Sequence, residues 1–222
     1  MSLKVERELR KRFPDICALV GRVEGVRVGK SEEKLKKFAE EIYKEVRRSY
    51  NLESLKDVPI FRAYRDFFWR VGMDPTKVRP AAEALIRRIL AGKPIPSVNN
   101  VVDAYNLASI KTCIALAAFD EAQLKGELTM RFAREGEEFL GIGMKRPMKL
   151  SGREVVVADG EKLVAVYPYR DSDLSKVVES TKNVLLLICG VPGIGWEVLA
   201  QAGEVALEYI TEFCGGEAKR EW

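Results

Sequence analysis

The chain contains no histidine. That absence removes His-based triads, imidazole zinc sites and histidine acid–base chemistry together. Cysteine is sparse: Cys17, Cys113, Cys189 and Cys214 stand far apart beside apolar neighbours, with no Cys-x-x-Cys pair for redox or zinc chemistry. A chain of 222 residues needs no disulfide staples, so these thiols read as small buried hydrophobes. No apolar run approaches the roughly eighteen residues of a membrane span. Met1 to Arg12 lacks the apolar centre and small-residue cleavage site of a signal peptide. The expectation is a cytoplasmic protein with no membrane partner, no metal and no cofactor.

What is present is a globular composition, 47% hydrophobic and 32% charged, with room for one substantial core. The formal charge of +4 and isoelectric point near 8.8 are mildly basic, compatible with nucleic acid but below the usual signature of it. Residues 1–12 read as a short charged helix, and Asp15 to Val28 as one or two strands punctuated by glycines. Helical spacing follows at Leu35, Phe38, Ala39, Ile42 and Val46, with Ser31 as its expected cap. A second helix covers Ile60 to Val71, and its aromatic cluster from Phe61 to Trp69 reads as core packing. Pro80 opens a third, closed by Gly92. Beyond Asp120 the period changes: Gly126 to Ala133, Arg153 to Ala158, Leu163 to Tyr169 and Asn183 to Cys189 read as strands. The last of these is almost wholly apolar and so central. Gly190 to Gly195 makes the turn into a final amphipathic helix reaching Phe213. Helices before and after a strand-rich middle define an α+β class, with a mixed or antiparallel sheet flanked by helices. The expected organisation is an N-terminal extension over 1–60 packed on a main domain over 61–214, then a flexible tail over 215–222.

One segment carries most of the chemistry. Ile95-Pro-Ser-Val-Asn-Asn-Val-Val-Asp-Ala-Tyr-Asn106 places Asn99, Asp103 and Asn106 on one helical face, anchored by Val98, Val101, Val102, Tyr105, Leu107, Ile110 and Ile114. Such an amide–carboxylate row binds something or props a neighbouring loop. Arg131 lies in an apolar strand and, if it points inward, must be paired; Glu137, Asp103 and Asp120 are the available partners. An internal ion pair and an Arg/Asn/Asp-lined pocket for a carboxylate, ribose or phosphate both remain open. Tyr167-Pro-Tyr-Arg-Asp-Ser-Asp173 and Ser180-Thr-Lys-Asn183 are further polar clusters at strand ends, offering Tyr169, Arg170 and Thr181 as loop contacts.

At this point a family resemblance stands out. Arg79-Pro-Ala-Ala-Glu-Ala-Leu85, Pro96-Ser-Val-Asn-Asn-Val-Val-Asp103 with Asn106, Ala118-Phe-Asp120, Gly126 through Arg131 with Ala133, Gly136-Glu137, Val157-Ala-Asp-Gly160, Ser175 and Thr181 occur in family order. Residues 79 to about 190 thereby resemble the B3/B4 domain of the bacterial-type phenylalanyl-tRNA synthetase beta subunit. The resemblance implies an α+β fold and a site that hydrolyses wrongly attached tyrosine, needed because a phenylalanine pocket rejects a hydroxylated near-isostere poorly. The chain departs from that pattern. Where the synthetase motif runs G-Q-P-x-H-A-F-D, Cys113 to Asp120 puts Ala117 at the histidine, and Leu187 or a neighbour stands where a glutamate is expected. The resemblance thus implies binding of tRNA or aminoacyl-tRNA through Asn99, Asn100, Asp103, Asn106, Arg131 and Glu137, with no catalytic residue assigned. Hydrolysis of mischarged aminoacyl-tRNA, and a small-molecule or protein-interaction role without RNA, remain open beside it.

Overall fold

The computed structural model describes residues 3–222. Strand β1 (Leu3–Val5) and helix α1 (Arg7–Arg12) stand where one charged helix was expected; Met1 and Ser2 lie outside the described residues. Strand β2 (Ala18–Glu24) turns at Gly25, whose φ of +77° suits glycine. Helix α2 (Glu33–Ser49) buries Leu35, Ile42 and Val46 along one stripe. Ser31 does not cap it; its hydroxyl donates to Asp103 instead, and the N-cap position falls to Glu32 without a side-chain bond.

Helix α3 (Pro59–Arg70) buries Phe61, Tyr64, Phe67 and Phe68, which packs the aromatic cluster inward and leaves Trp69 exposed. Helix α4 (Ala81–Leu90) begins just after Pro80. Helix α5 (Asn100–Thr112) starts at the Asn99 cap, whose side chain accepts from the Val102 amide at 2.9 Å. It ends at Cys113, which turns left-handed at φ 62°. Ile114 therefore lies beyond the helix it was expected to anchor, and Val98, expected beside it, is exposed. The chain continues as strand β3 (Ala115–Asp120), buried at all six positions.

Next come β4 (Leu128–Phe132), the short pair β5 (Glu138–Phe139) and β6 (Met148–Lys149), then β7 (Val155–Ala158) and β8 (Leu163–Tyr167). Strand β9 (Arg170–Asp171) follows the cis bond Tyr167–Pro168. Strand β10 (Asn183–Cys189), helix α6 (Trp196–Cys214) and strand β11 (Glu217–Arg220) complete the chain. The last corrects the expected flexible tail over 215–222. β11 pairs antiparallel with β2, and the Trp222 ring fills the space left by Gly21 and Gly203. None of the described helices is long and apolar enough to cross a membrane.

Two main sheets result. One has the order β1-β4-β7-β8-β9 and the other β11-β2-β10-β3, with β1–β4 the parallel pair among antiparallel neighbours. The fold is α+β, as the element pattern implies. β10 sits between β2 and β3, and its side chains alternate between two covered faces. Ile188 lies on the α6 side, 3.4 Å from where a Cβ on Gly203 would stand. Leu185, Leu187 and Cys189 have the opposite parity and so face the other sheet. One core joins both sheets to α3, α5 and α6, while a second lies between α2, α4 and α5.

Glu83, in the motif Arg79 to Leu85, is fully buried between two arginines. Arg65 of α3 reaches both carboxylate oxygens at 2.9 and 3.0 Å, and Arg87 reaches one at 2.7 Å. Breaking a buried pair costs about 3–5 kcal/mol, and both arginines here keep some water. Glu83→Gln is therefore expected to lower stability by about 2–4 kcal/mol in a denaturant titration. A change below about 0.5 kcal/mol would show that the clamp does not hold α3 to α4.

Candidate functional site

Between the two sheets, beside the C-terminal half of β10, lies a cavity of about 250 Å³ that opens to solvent. Its walls are Ala115, Leu116 and Ala117 of β3, Leu187 and Cys189 of β10, Ala165 to Tyr167 of β8, and Ile142. Ala117 and Leu187 are register partners in adjacent strands, so the two positions where the resemblance implies polar groups form one apolar surface. Buried tyrosines fix this surface. Tyr64 donates its hydroxyl to the Cys189 carbonyl at 2.5 Å and accepts from the Ala115 amide at 3.0 Å. Tyr167 donates to the Gly190 carbonyl at 2.5 Å.

The polar lining comes from α5 and β9. Tyr105 and Asn106 face the cavity from the second turn of α5, and Asp171 from β9. Burial raises the Asp171 carboxyl to about 7, and no ion pair or hydrogen bond holds its side chain among the described residues. Burial first, then the charges of Asp171 and Asp103, push the Tyr105 hydroxyl upward, so it remains a neutral donor. Arg170 precedes Asp171 but is engaged elsewhere: it donates to the Ile142 carbonyl at 2.7 Å and to the Tyr169 hydroxyl at 3.2 Å. Its guanidinium also lies 5.0 Å from the centre of the Tyr169 ring. Gly141 makes room for it, since a Cβ there would come within 2.4 Å of Arg170 Cδ.

Tyr169 and Arg170 also border a surface groove with Lys77, Arg79, Arg87, Arg88 and Lys93. Arg87 is held by Glu83, and Arg88 donates to the Pro94 carbonyl at 2.8 and 3.1 Å. Lys77, Arg79 and Lys93 are exposed, Lys77 with its ammonium 3.8 Å from the Asp74 carboxylate, and none of the described residues lining this groove is a carboxylate.

The sequence-derived site residues divide accordingly. Asn106, Tyr169 and Arg170 meet at the cavity. Asn99 caps α5, and buried Asn100 accepts from the Gly29 amide at 2.9 Å while donating to the Arg27 carbonyl at 2.8 Å. Asp103 accepts from the hydroxyls of Ser31 and Ser97 and from the Val98 amide at 3.0 Å. These three tie the loops around α5 to its first turn. Asp103 does reach, with Asn106, a smaller cleft of about 180 Å³ between α2 and α5. Arg131 and Glu137 form a two-pronged ion pair, at 2.9 and 2.7 Å, outside the cavity lining. The Arg131 hydrogen bond holds the Glu137 carboxyl below its ordinary range. Thr181 is buried and accepts from the Val178 amide at 3.0 Å. Asp171 and Tyr105 were not among the expected site residues; the strand-end cluster Tyr167 to Asp173 was the signal for the first.

Comparisons with known proteins agree with this architecture. The B3/4 domain family matches residues 63–215, and the chain belongs to that family. A phenylalanine–tRNA ligase beta subunit from Symbiobacterium thermophilum is 34% identical over 112 residues, covering 50% of this chain and 12% of that protein. One from Aquifex aeolicus is 36% identical over 93 residues, covering 41% of this chain and 12% of that protein. The matched part is thus a small fraction of those relatives' length. An N-terminal fragment of the phenylalanyl-tRNA synthetase beta-subunit from Pyrococcus horikoshii shares the fold with a TM-score of 0.53. Identity there is 16%, over 98% of this chain and 50% of that one.

The carboxyl of Asp171 yields a stability prediction. Below the ordinary carboxylate range it is protonated in both folded and unfolded chains. As pH rises toward about 7 the unfolded chain ionises first, so stability falls, and above that value the folded chain bears the full cost of the charge. Asp171→Asn should therefore unfold at the same temperature as the wild type near pH 4 and several degrees higher near pH 8. Equal unfolding temperatures at both would show that the carboxylate is freely hydrated.

Proposed function

We propose that this chain binds the aminoacylated 3′ end of a tRNA. The observation that carries the reading is continuity: the cationic groove and the cavity share Tyr169 and Arg170 as a common border. A single-stranded RNA end needs cations for its phosphates, an aromatic face for a base and an enclosed place for what is attached to it. Lys77, Arg79 and Lys93 supply the first and Tyr169 the second. The cavity suits a group of amino-acid size, smaller than a drug-sized site. Kinship with a tRNA ligase subunit supports the same direction.

Binding without turnover is the form of this activity that the walls favour. Ala117 and Leu187 have no group able to carry a proton or hold an attacking water, so the chemistry that the resemblance implies loses two polar participants. Capture of the aminoacyl end remains.

The test is a binding titration with aminoacyl-tRNA at two salt concentrations, for the wild type and a Lys77→Glu/Arg79→Glu/Lys93→Glu variant. Affinity should fall at least tenfold in the variant. The salt slope should flatten by about 2, because each single-strand phosphate contact contributes about 0.7 to it. Unchanged affinity and slope would remove the groove from the function. A parallel time course should show the aminoacyl ester decaying no faster than it does spontaneously; rapid release of one amino acid would instead make the protein a deacylase.

A further inference from the structure

The cavity contains polar groups that the fold does not use. Asp171, Tyr105 and Asn106 all line it, and no hydrogen bond or ion pair engages any of their side chains among the described residues. The neighbouring polar groups are, by contrast, committed: Tyr167 to the Gly190 carbonyl, Tyr64 to Cys189 and Ala115, Arg170 to Ile142 and Tyr169. Asp171 is half-buried, and among alanine, valine and leucine walls its carboxylate has no protein partner to replace the water it loses. Arg170, beside it in sequence, lies at the edge of the cavity with its guanidinium bonded to the Ile142 carbonyl and the Tyr169 hydroxyl, and makes no bond to Asp171.

Charge decides what can complete it. An anion is drawn to the groove outside but meets Asp171 inside, so neither a phosphate nor a free carboxylate suits the interior. A neutral ribose or ester carbonyl can be satisfied by the Asn106 amide and the Tyr105 hydroxyl, but offers nothing to a carboxylate's charge. The part of an aminoacyl group that matches a carboxylate is its ammonium. The remaining wall, Ala117 against Leu187, is apolar and offers a side chain contact without hydrogen bonds.

We infer that the cavity reads the free α-ammonium of an aminoacyl group through Asp171, with an apolar side chain laid against Ala117 and Leu187. This rests on the reading of the chain as an aminoacyl-tRNA binder and adds to it a ligand class, unblocked apolar aminoacyl groups, and a residue that selects it. Asn106 and Tyr105 are the companions for the carbonyl and the sugar hydroxyl.

The experiment uses the full chain and a ligand that cannot hydrolyse, 3′-leucylamido-3′-deoxyadenosine, titrated beside its N-acetyl form. Acetylation removes the positive charge and adds a small neutral acetyl group, and Asp171→Asn tests the charge without that added bulk. Wild-type protein should bind the free amine at least tenfold more tightly than the acetylated form. Asp171→Asn keeps the shape of the side chain; it should lose a similar factor for the amine and bind the two forms alike. The inference is overturned if the wild type does not distinguish them, if the variant distinguishes them as the wild type does, or if the amine fails to bind at millimolar concentration. Uncharged tRNA is titrated separately. Salt-dependent tRNA binding beside an acetylation-blind cavity overturns the ammonium assignment and leaves the RNA reading standing. Ammonium-dependent analogue binding with no tRNA binding supports the assignment and removes the RNA.

Discussion

A strand with both edges paired and both faces covered governs this molecule. β10 presents Val184 to Cys189 to the interior without a polar side chain, and all six are buried. Each large apolar side chain among them contributes about 1.5–3 kcal/mol on burial. That gain is realised only if β2 and β3 satisfy the strand's backbone while α6 covers one face and the second sheet the other. The cavity is a consequence of this arrangement. It lies where the β3 and β10 faces meet β8 with small side chains, Ala115, Ala117 and Ala165, in place of large ones.

Helix α5 links that core to the surface in two stages. Its first turn is polar for structural reasons: Asn99 caps it, Asn100 bridges the Arg27–Gly29 backbone, and Asp103 gathers Ser31, Ser97 and the Val98 amide. Its second turn, fixed in rotation by those bonds, brings Tyr105 and Asn106 to the cavity. A row of amides and a carboxylate can thus bind and prop at once, with the division falling between Asp103 and Asn106. Another part of the cavity wall is set by β9, a strand of two residues whose Asp171 lines it and whose Arg170, at its edge, is bonded to the Ile142 carbonyl and the Tyr169 hydroxyl.

Much of this was legible in the sequence. The unbroken apolar run at 183–189 reads as a central strand because only full burial tolerates it, and the structure agrees. The aromatic stripe of α3 packs as its spacing implies, apart from Trp69. The boundary between α5 and β3 was not legible, because the reversal is made by Cys113 in a left-handed conformation where glycine is the usual marker. β1 and β11 are short edge strands whose pairing comes from distant partners, so local pattern carries no trace of them. Arg131 illustrates a different limit. Its strand position and its need for a partner were readable, and so was Glu137 as a candidate, but whether that pair faced a ligand depended on a chain path that no spacing encodes. Asp171 was hidden for the converse reason: four polar or aromatic residues crowd the segment 167–171, and only the fold shows that the carboxylate among them lines the cavity without a partner.

The departure from the synthetase pattern and the bare carboxylate are physically coupled. Ala117 and Leu187 keep the cavity apolar, and burial there pushes the Asp171 carboxyl up and gives it, when ionised, a strong pull on a cation. The resemblance implies a glutamate at Leu187 or beside it. A second carboxylate on this wall would share about 250 Å³ with Asp171, and the two could not both ionise near neutral pH. A histidine at 117 would have the opposite effect, offering Asp171 an internal partner and occupying the place proposed for the ligand. The apolar pair is therefore more than a loss of catalytic groups. It leaves one carboxylate uncompensated, and an uncompensated charge in such a cavity is the condition under which an entering ammonium gains most.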